Sequence, residues 1–108
     1  MNLFADLPED LLKTEQFDTL LEKSGVKIER IISSGQATPD GEYYDQAWDE
    51  WVVLLQGTAT IELLADKQTV TLAAGDNYWL PAGCRHRVIY TSSAPKAIWL
   101  AVHIGLKT

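Results

Sequence analysis

Gly75-Asp76-Asn77-Tyr78-Trp79-Leu80-Pro81-Ala82-Gly83-Cys84-Arg85-His86 reads as a turn, a short strand, a bend and the opening of a second strand. Gly75-Asp76 reverses the chain, and Tyr78 to Leu80 is a brief β-rich run. Pro81 has no N–H to continue a ladder, so with Gly83 it shapes a bend between strands. His86 then enters the next strand in phase with Val88 and Tyr90, because side chains alternate between the two faces of a strand. That parity aims His86 and Tyr90 into whatever the strands enclose, and Arg85 and Arg87 away from it.

On either side the same grammar repeats. Short β-rich runs, Val26 to Ile32, Trp51 to Leu55, Thr58 to Leu64, Thr69 to Leu72, Tyr78 to Leu80, Arg87 to Thr91 and Ala97 to Ile104, alternate with turn clusters, the spacing of a sandwich or barrel. Gln56-Gly57, Ala65-Asp66-Lys67, Gly75-Asp76-Asn77 and Ser92 to Pro95 read as hairpin turns, which predicts consecutive antiparallel pairing. Two runs are apolar on both faces, Trp51, Val53 and Leu55 against Val52 and Leu54, and Ile98, Leu100, Val102 and Ile104 against Trp99, Ala101 and His103. Their outward faces need a cover, supplied by the N-terminal segment or a second subunit. Over residues 1–25 the apolar positions Leu7, Leu11, Leu12, Phe17, Leu20 and Leu21 recur at helical spacing, with Asp6, Pro8 and Glu9 as a start, Thr14 as a second cap and Gly25 as a stop. Two short helices packed on a β domain over 26–108 are the expectation. The loop from Ser33 to Glu42 is a connector or a lid over one end.

Composition limits the function classes. The chain of 108 residues is 46% hydrophobic and 22% charged, the profile of one folded domain. Nine Lys and Arg against fifteen Asp and Glu leave a net charge of -6, which argues against nucleic acid as a partner. The longest apolar run, Trp51 to Leu55, is far short of the roughly 20 residues of a membrane helix. No membrane partner or secretion signal is expected. The single cysteine, Cys84, fits a reducing compartment and a cytoplasmic location; it reads as inert packing.

The spacing Gly75, five residues, Pro81, one residue, Gly83, two residues, His86 resembles the second signature of the cupin superfamily. Glu50-Trp51-Val52-Val53-Leu54-Leu55-Gln56-Gly57 is similar to the closing half of the first. The resemblance spans residues 41–90 and, through the strand pattern, reaches Ile104. It implies an all-β double-stranded β-helix, a jelly-roll barrel, that dimerises. It also implies a divalent metal, Zn, Mn or Fe, held by the signature glutamate and histidines. This sequence departs from the pattern where it matters: the two histidines upstream of Glu50 are replaced by Tyr44 and Gln46, or by Tyr43 and Asp45 at the longer spacing, and Tyr90 stands where an Asn often follows. The remaining candidate ligands are Glu50, His86, Gln46 and, if its face is inward, His103.

Residue chemistry alone points to the same places. Glu50 opens an apolar strand, is at risk of burial and needs a partner, and His86 is the obvious one, as co-ligand or as an acid–base couple. Asp49 reads as a solvated turn residue. Tyr90 is the third catalytic candidate, and Tyr44, Trp48 and Arg87 are substrate-contact candidates from the aromatic set and the strand rim. Three functions are compatible: a metal-dependent oxygenase or isomerase on a small organic substrate, a metabolite-binding module with a degenerate metal site, or a metal-independent acid–base epimerase. A small-molecule ligand and a homodimer are the expected partners.

Overall fold

The computed structural model describes residues 2–107; Met1 and Thr108, which end the two segments expected from the sequence, lie outside the described residues. Eight strands follow one another: β1 (Gln16–Lys23), β2 (Val26–Ser33), β3 (Asp49–Gln56), β4 (Thr58–Leu63), β5 (Thr69–Ala73), β6 (Asn77–Leu80), β7 (His86–Thr91) and β8 (Ala97–Ile104). They form a five-stranded sheet in the order β1-β2-β8-β3-β6 and a three-stranded sheet in the order β5-β4-β7, antiparallel throughout. This is an all-β jelly-roll sandwich.

The pairing is not consecutive as expected. β3 and β4 lie in different sheets, as do β5 and β6, and β7 and β8. Gln56-Gly57, Gly75-Asp76-Asn77 and Ser92 to Pro95 are therefore corners between sheets, and of the four expected hairpin turns only Ala65-Asp66-Lys67 closes a hairpin, with Leu63 N donating to Gln68 O at 2.8 Å. Turn residues serve a corner and a hairpin equally, so only long-range pairing separates the two. At Gly57 the corner is tight: φ is 85°, and a Cβ would meet Ser92 Oγ at 2.5 Å and Lys96 O at 2.9 Å.

No helix forms over residues 2–25. Gln16–Lys23 is a strand, and Ser24-Gly25, with φ of 47° and 81°, closes a two-residue hairpin onto Val26. Both turn residues are left-handed, the geometry whose twist suits adjoining strands, so Gly25 ends a β-turn and not a helix. Leu20 and Leu21 mimic helical spacing, but the rows Gln16, Asp18, Leu20 and Phe17, Thr19 alternate in exposure as a strand does. The residues ahead of β1 cross the outer face of the large sheet. There Arg30 donates to Leu3 O and Ala5 O at 3.1 and 2.7 Å and pairs with Asp18 at 2.8 Å, while Lys96 Nζ reaches Pro8 O at 2.6 Å. Ile32 and Ile98 on that face are fully buried. Leu21, Trp51, Trp79 and Ile104 on the same face are exposed. Among the described residues there is no helix long and apolar enough to cross a membrane.

Between the sheets, Val52, Leu54, Ala59, Ile61, Leu72, Leu80, Ala97, Trp99 and Ala101 form the core. Full burial of a side chain such as Leu54 or Ile61 stabilises the fold by roughly 1.5–3 kcal/mol. The core occupies one end of the sandwich; at the other, β3 begins, β7 begins and β8 nears its end, and the inner face becomes polar.

Candidate active site

Register delivers the polar side chains to that end. Glu50 pairs with His103 across β3 and β8, and Leu80 sits on the other side of Glu50, so the carboxyl and the imidazole share the inner face. His86 opens β7 opposite Leu63 on the facing sheet. All three are buried, at 7%, 7% and 5% exposure. They border a cavity of about 90 Å³ that Glu15, Glu29, Tyr44 and Gln46 also line. Its floor is apolar: Ile31, Val52, Ile61, Leu80, Val88 and Trp99, with Phe17 at the mouth.

The bend ahead of His86 is pinned from outside. Asp49, read from sequence as a solvated turn residue, accepts the Ala82 N–H through Oδ1 at 2.8 Å, Gly83 N donates to Gln46 O at 2.8 Å, and Cys84 N donates to Pro81 O at 3.0 Å. Tyr44 and His86 exchange backbone hydrogen bonds of 2.7 and 3.1 Å, and their rings stack at 5.3 Å between centroids. His86 Nδ1 lies 3.0 Å from Cys84 O. A carbonyl only accepts, so Nδ1 carries the hydrogen, and in the neutral ring Nε2 has the lone pair. Cys84 thus contributes its backbone, and its half-buried thiol packs against the core.

His103 faces inward, and both its nitrogens are occupied. The Trp48 indole donates to Nδ1 at 2.9 Å, and Nε2 lies 2.9 Å from Glu29 Oε1. That hydrogen bond holds the Glu29 carboxyl below its ordinary range against the opposing effect of burial. Glu50 shows the reverse: burial pushes its carboxyl up, and the two histidine rings and the Gln46 amide only partly offset this. Burial and the carboxylates of Glu15 and Glu50 also raise the Tyr44 phenol. Ser33 hydrogen-bonds Glu15.

Three expected site residues lie elsewhere. Tyr90 is on the outer face of the small sheet, 51% exposed. The partners of Thr60 and Ile61 are Tyr90 and Val88, so β7 carries one extra residue, and the bulge reverses the parity that the sequence implied. Arg87 also faces outward, pairing with Asp40 at 3.2 Å. Trp48 touches no part of the cavity; it holds His103 and faces a wider groove of about 640 Å³ on the other side, lined also by Lys23, Lys27 and Lys107. The Ser33–Glu42 loop is a connector, laid along β7 by Thr38 N to Val88 O at 2.8 Å and Val88 N to Thr38 Oγ1 at 3.0 Å. Glu29 and Glu15 were missed from sequence, although a carboxyl alternating with Ile31 along β2 is a visible signal of a polar inner face.

As built, these groups do not fit a resident metal. Structural and catalytic ions take three or four converging ligands. Here His103 has no free nitrogen and Tyr44 and Gln46 stand where imidazoles would, so only Glu50 and His86 Nε2 remain as strong donors, with the Gln46 amide a weak third. Among the described residues no group of three or more His, Cys, Asp or Glu is arranged to hold an ion.

A family profile described as "Cupin domain" matches residues 31–103. The chain is 48% identical to a Ralstonia eutropha JMP134 protein, provisionally named a mannose-6-phosphate isomerase, with a TM-score of 0.90 over 96% of this chain and 95% of that one. It also matches a cupin superfamily protein of Desulfitobacterium hafniense DCB-2 at 20% identity and a TM-score of 0.78, covering 98% and 90% of the two chains. A cupin-2 domain protein of Shewanella frigidimarina NCIMB 400 matches at 19% identity and a TM-score of 0.66, over 82% and 79%.

Proposed function

We propose that this chain, which belongs to the cupin family, is an isomerase-like member that moves protons on a small carbonyl substrate with its own side chains. The observation that carries this reading is that His86 and Glu50, both buried, enter one cavity from opposite sheets. One presents a free lone pair, and the other has a carboxyl that burial favours in its protonated form. The name given to the Ralstonia relative points the same way.

His86 Nε2 takes the proton from the carbon beside the carbonyl, and Glu50 gives its proton to the carbonyl oxygen, leaving an enediol or its amino counterpart. His86 returns its proton to the neighbouring carbon as Glu50 recovers one from the adjacent heteroatom. The pair thus ends as it began. Tyr44 keeps the ring oriented by stacking, and the apolar floor limits water at the reacting carbon. Tyr44 also replaces Tyr90 as the only candidate tyrosine in the cavity lining.

The test is exchange in D2O. Small α-hydroxy and α-amino carbonyl compounds are incubated with the protein and EDTA, and the proton beside the carbonyl is followed by NMR. The expected result is exchange that falls by about 10²–10⁴-fold in His86→Asn and in Glu50→Gln. Exchange that EDTA abolishes would return the site to metal chemistry. Compounds that bind and never exchange would make the protein a metabolite-binding cupin. A homodimer belongs to the proposal, because Trp51 and Trp79 remain exposed on the outer face of the large sheet.

A further inference from the structure

We infer that the cavity between the sheets takes a small organic ammonium group and rejects phosphates and carboxylates. This rests on the reading of the cavity as the substrate pocket and narrows the class of substrate. Three carboxyl side chains, Glu15, Glu29 and Glu50, line it, and no Lys or Arg does. Glu29 alone has a cation beside it, Lys27 Nζ at 3.8 Å on the groove side. Beside the Tyr44 hydroxyl and the Gln46 amide, the polar groups of the lining are carboxyls and imidazoles. His86 is 5% exposed, its Nδ1–H is spent on Cys84 O, and Nε2 has no hydrogen-bond partner among the described residues, so in the neutral ring its lone pair is open to the cavity. The Glu50 carboxyl, 7% exposed, lies close by; burial favours its protonated form, and a cation beside it favours the carboxylate, which only accepts.

Converging acceptors need a donor, and buried carboxylates need positive charge. A metal ion would supply the charge, but the ligand set for one is incomplete. An ammonium supplies three N–H donors, no acceptor and a positive charge, which suits carboxyls and an imidazole lone pair. Tyr44, Phe17 and Trp99 offer aromatic surface around it, which favours a cation further. A phosphate or carboxylate would meet the Glu15 carboxylate and the His86 lone pair with no Lys or Arg in the lining to offset them, which is unfavourable in a cavity of low polarity. At about 90 Å³ the space admits only the small end of a ligand.

Three probes with one carbon skeleton isolate the charge: 1-amino-2-propanol, 1,2-propanediol and lactate. Calorimetric titration of the metal-stripped protein near neutral pH is expected to rank the amine about tenfold or more above the diol, with no lactate binding. Glu50→Gln and, separately, Glu15→Gln should lower amine affinity more than diol affinity and so erode the preference for the amine. Lactate or diol binding as tight as the amine, no amine binding at the highest soluble concentration, or a preference untouched by both substitutions overturns the inference. So does stoichiometric zinc or manganese uptake that excludes the amine. Binding is read without turnover, so failure of the exchange assay leaves this result standing, and failure here leaves the exchange assay standing.

Discussion

The indole N–H of Trp48 donates a 2.9 Å hydrogen bond to Nδ1 of His103, and this contact decides which ring nitrogen carries the proton. An indole can only donate, so Nδ1 must hold a lone pair and Nε2 the hydrogen that Glu29 accepts. Trp48→Phe removes the constraint. In ¹⁵N-labelled protein the His103 ring should read as a single Nε2–H form, becoming a tautomer mixture in the variant, with a stability loss of about 1 kcal/mol. An unchanged ring spectrum would mean that Glu29 alone orients the imidazole.

Glu50 makes stability depend on pH in a defined direction. A carboxyl whose folded value is raised is stabilising while protonated, and that contribution is lost as pH rises through the raised value. Glu50→Gln removes the cost of the buried charge. Its melting temperature should exceed that of the parent by several degrees at about pH 8, since 1 kcal/mol corresponds to about 4–8 °C in a domain of this size, and the gap should close on acidification. A gap that widens toward acid would reverse the assignment.

Asp18 and Glu29 act in the opposite sense. Hydrogen bonds from Arg30 and His103 hold their carboxyls below the ordinary values of 3.8 and 4.5. Their stabilisation is present above those values and disappears as pH falls through the lowered ones. Asp18→Asn also leaves the buried Arg30 guanidinium without its counter-charge, a loss of about 3 kcal/mol. Because Arg30 ties down Leu3 and Ala5, hydrogen exchange should rise first in the segment ahead of β1. Uniform loss of protection across the sheet would show that this segment is not separately held.

Gly57 and Gly75 share a left-handed backbone, with φ of 85° and 95°, but a Cβ at Gly75 meets nothing within 4 Å. Gly75→Ala should cost about 1–2 kcal/mol from backbone conformation alone. Gly57→Ala adds contact with Ser92 Oγ, Lys96 O and Ala97 Cα, all at 3.0 Å or less, and should cost several kcal/mol in urea denaturation. Equal losses would mean that the corner relaxes.

The outward face of the large sheet should be covered by a second copy. Light scattering is expected to give a dimer mass for the parent and a monomer for Trp51→Glu combined with Trp79→Glu, with a folded circular dichroism spectrum. A monomeric parent would leave that face bare.

Much of the fold was legible because its signals are local. Strand alternation, the Gly75 turn and the Pro81–Gly83 bend are written in neighbouring residues, and Ala97–Ile104 was read to its ends. The family resemblance carried the jelly roll, which the profile over residues 31–103 bears out. β1 was not legible, because a pair of leucines followed by Gly suits a helix end as well as a hairpin, and only the partner strand β2 chooses.

The site divides along the same line. Sequence alone brought Glu50 and His86 forward and withheld the upstream histidines that a metal would want. It also put Tyr90 beside His86, since parity counted along a chain assumes an unbroken ladder. Tertiary structure decided what each side chain faces: one bulge in β7 turned Tyr90 out, cross-strand register brought His103 and Glu29 in, and Trp48 took the nitrogen that a metal would need. Register and bulges arise from pairing between distant segments, so a residue's type is local information and its neighbours are not.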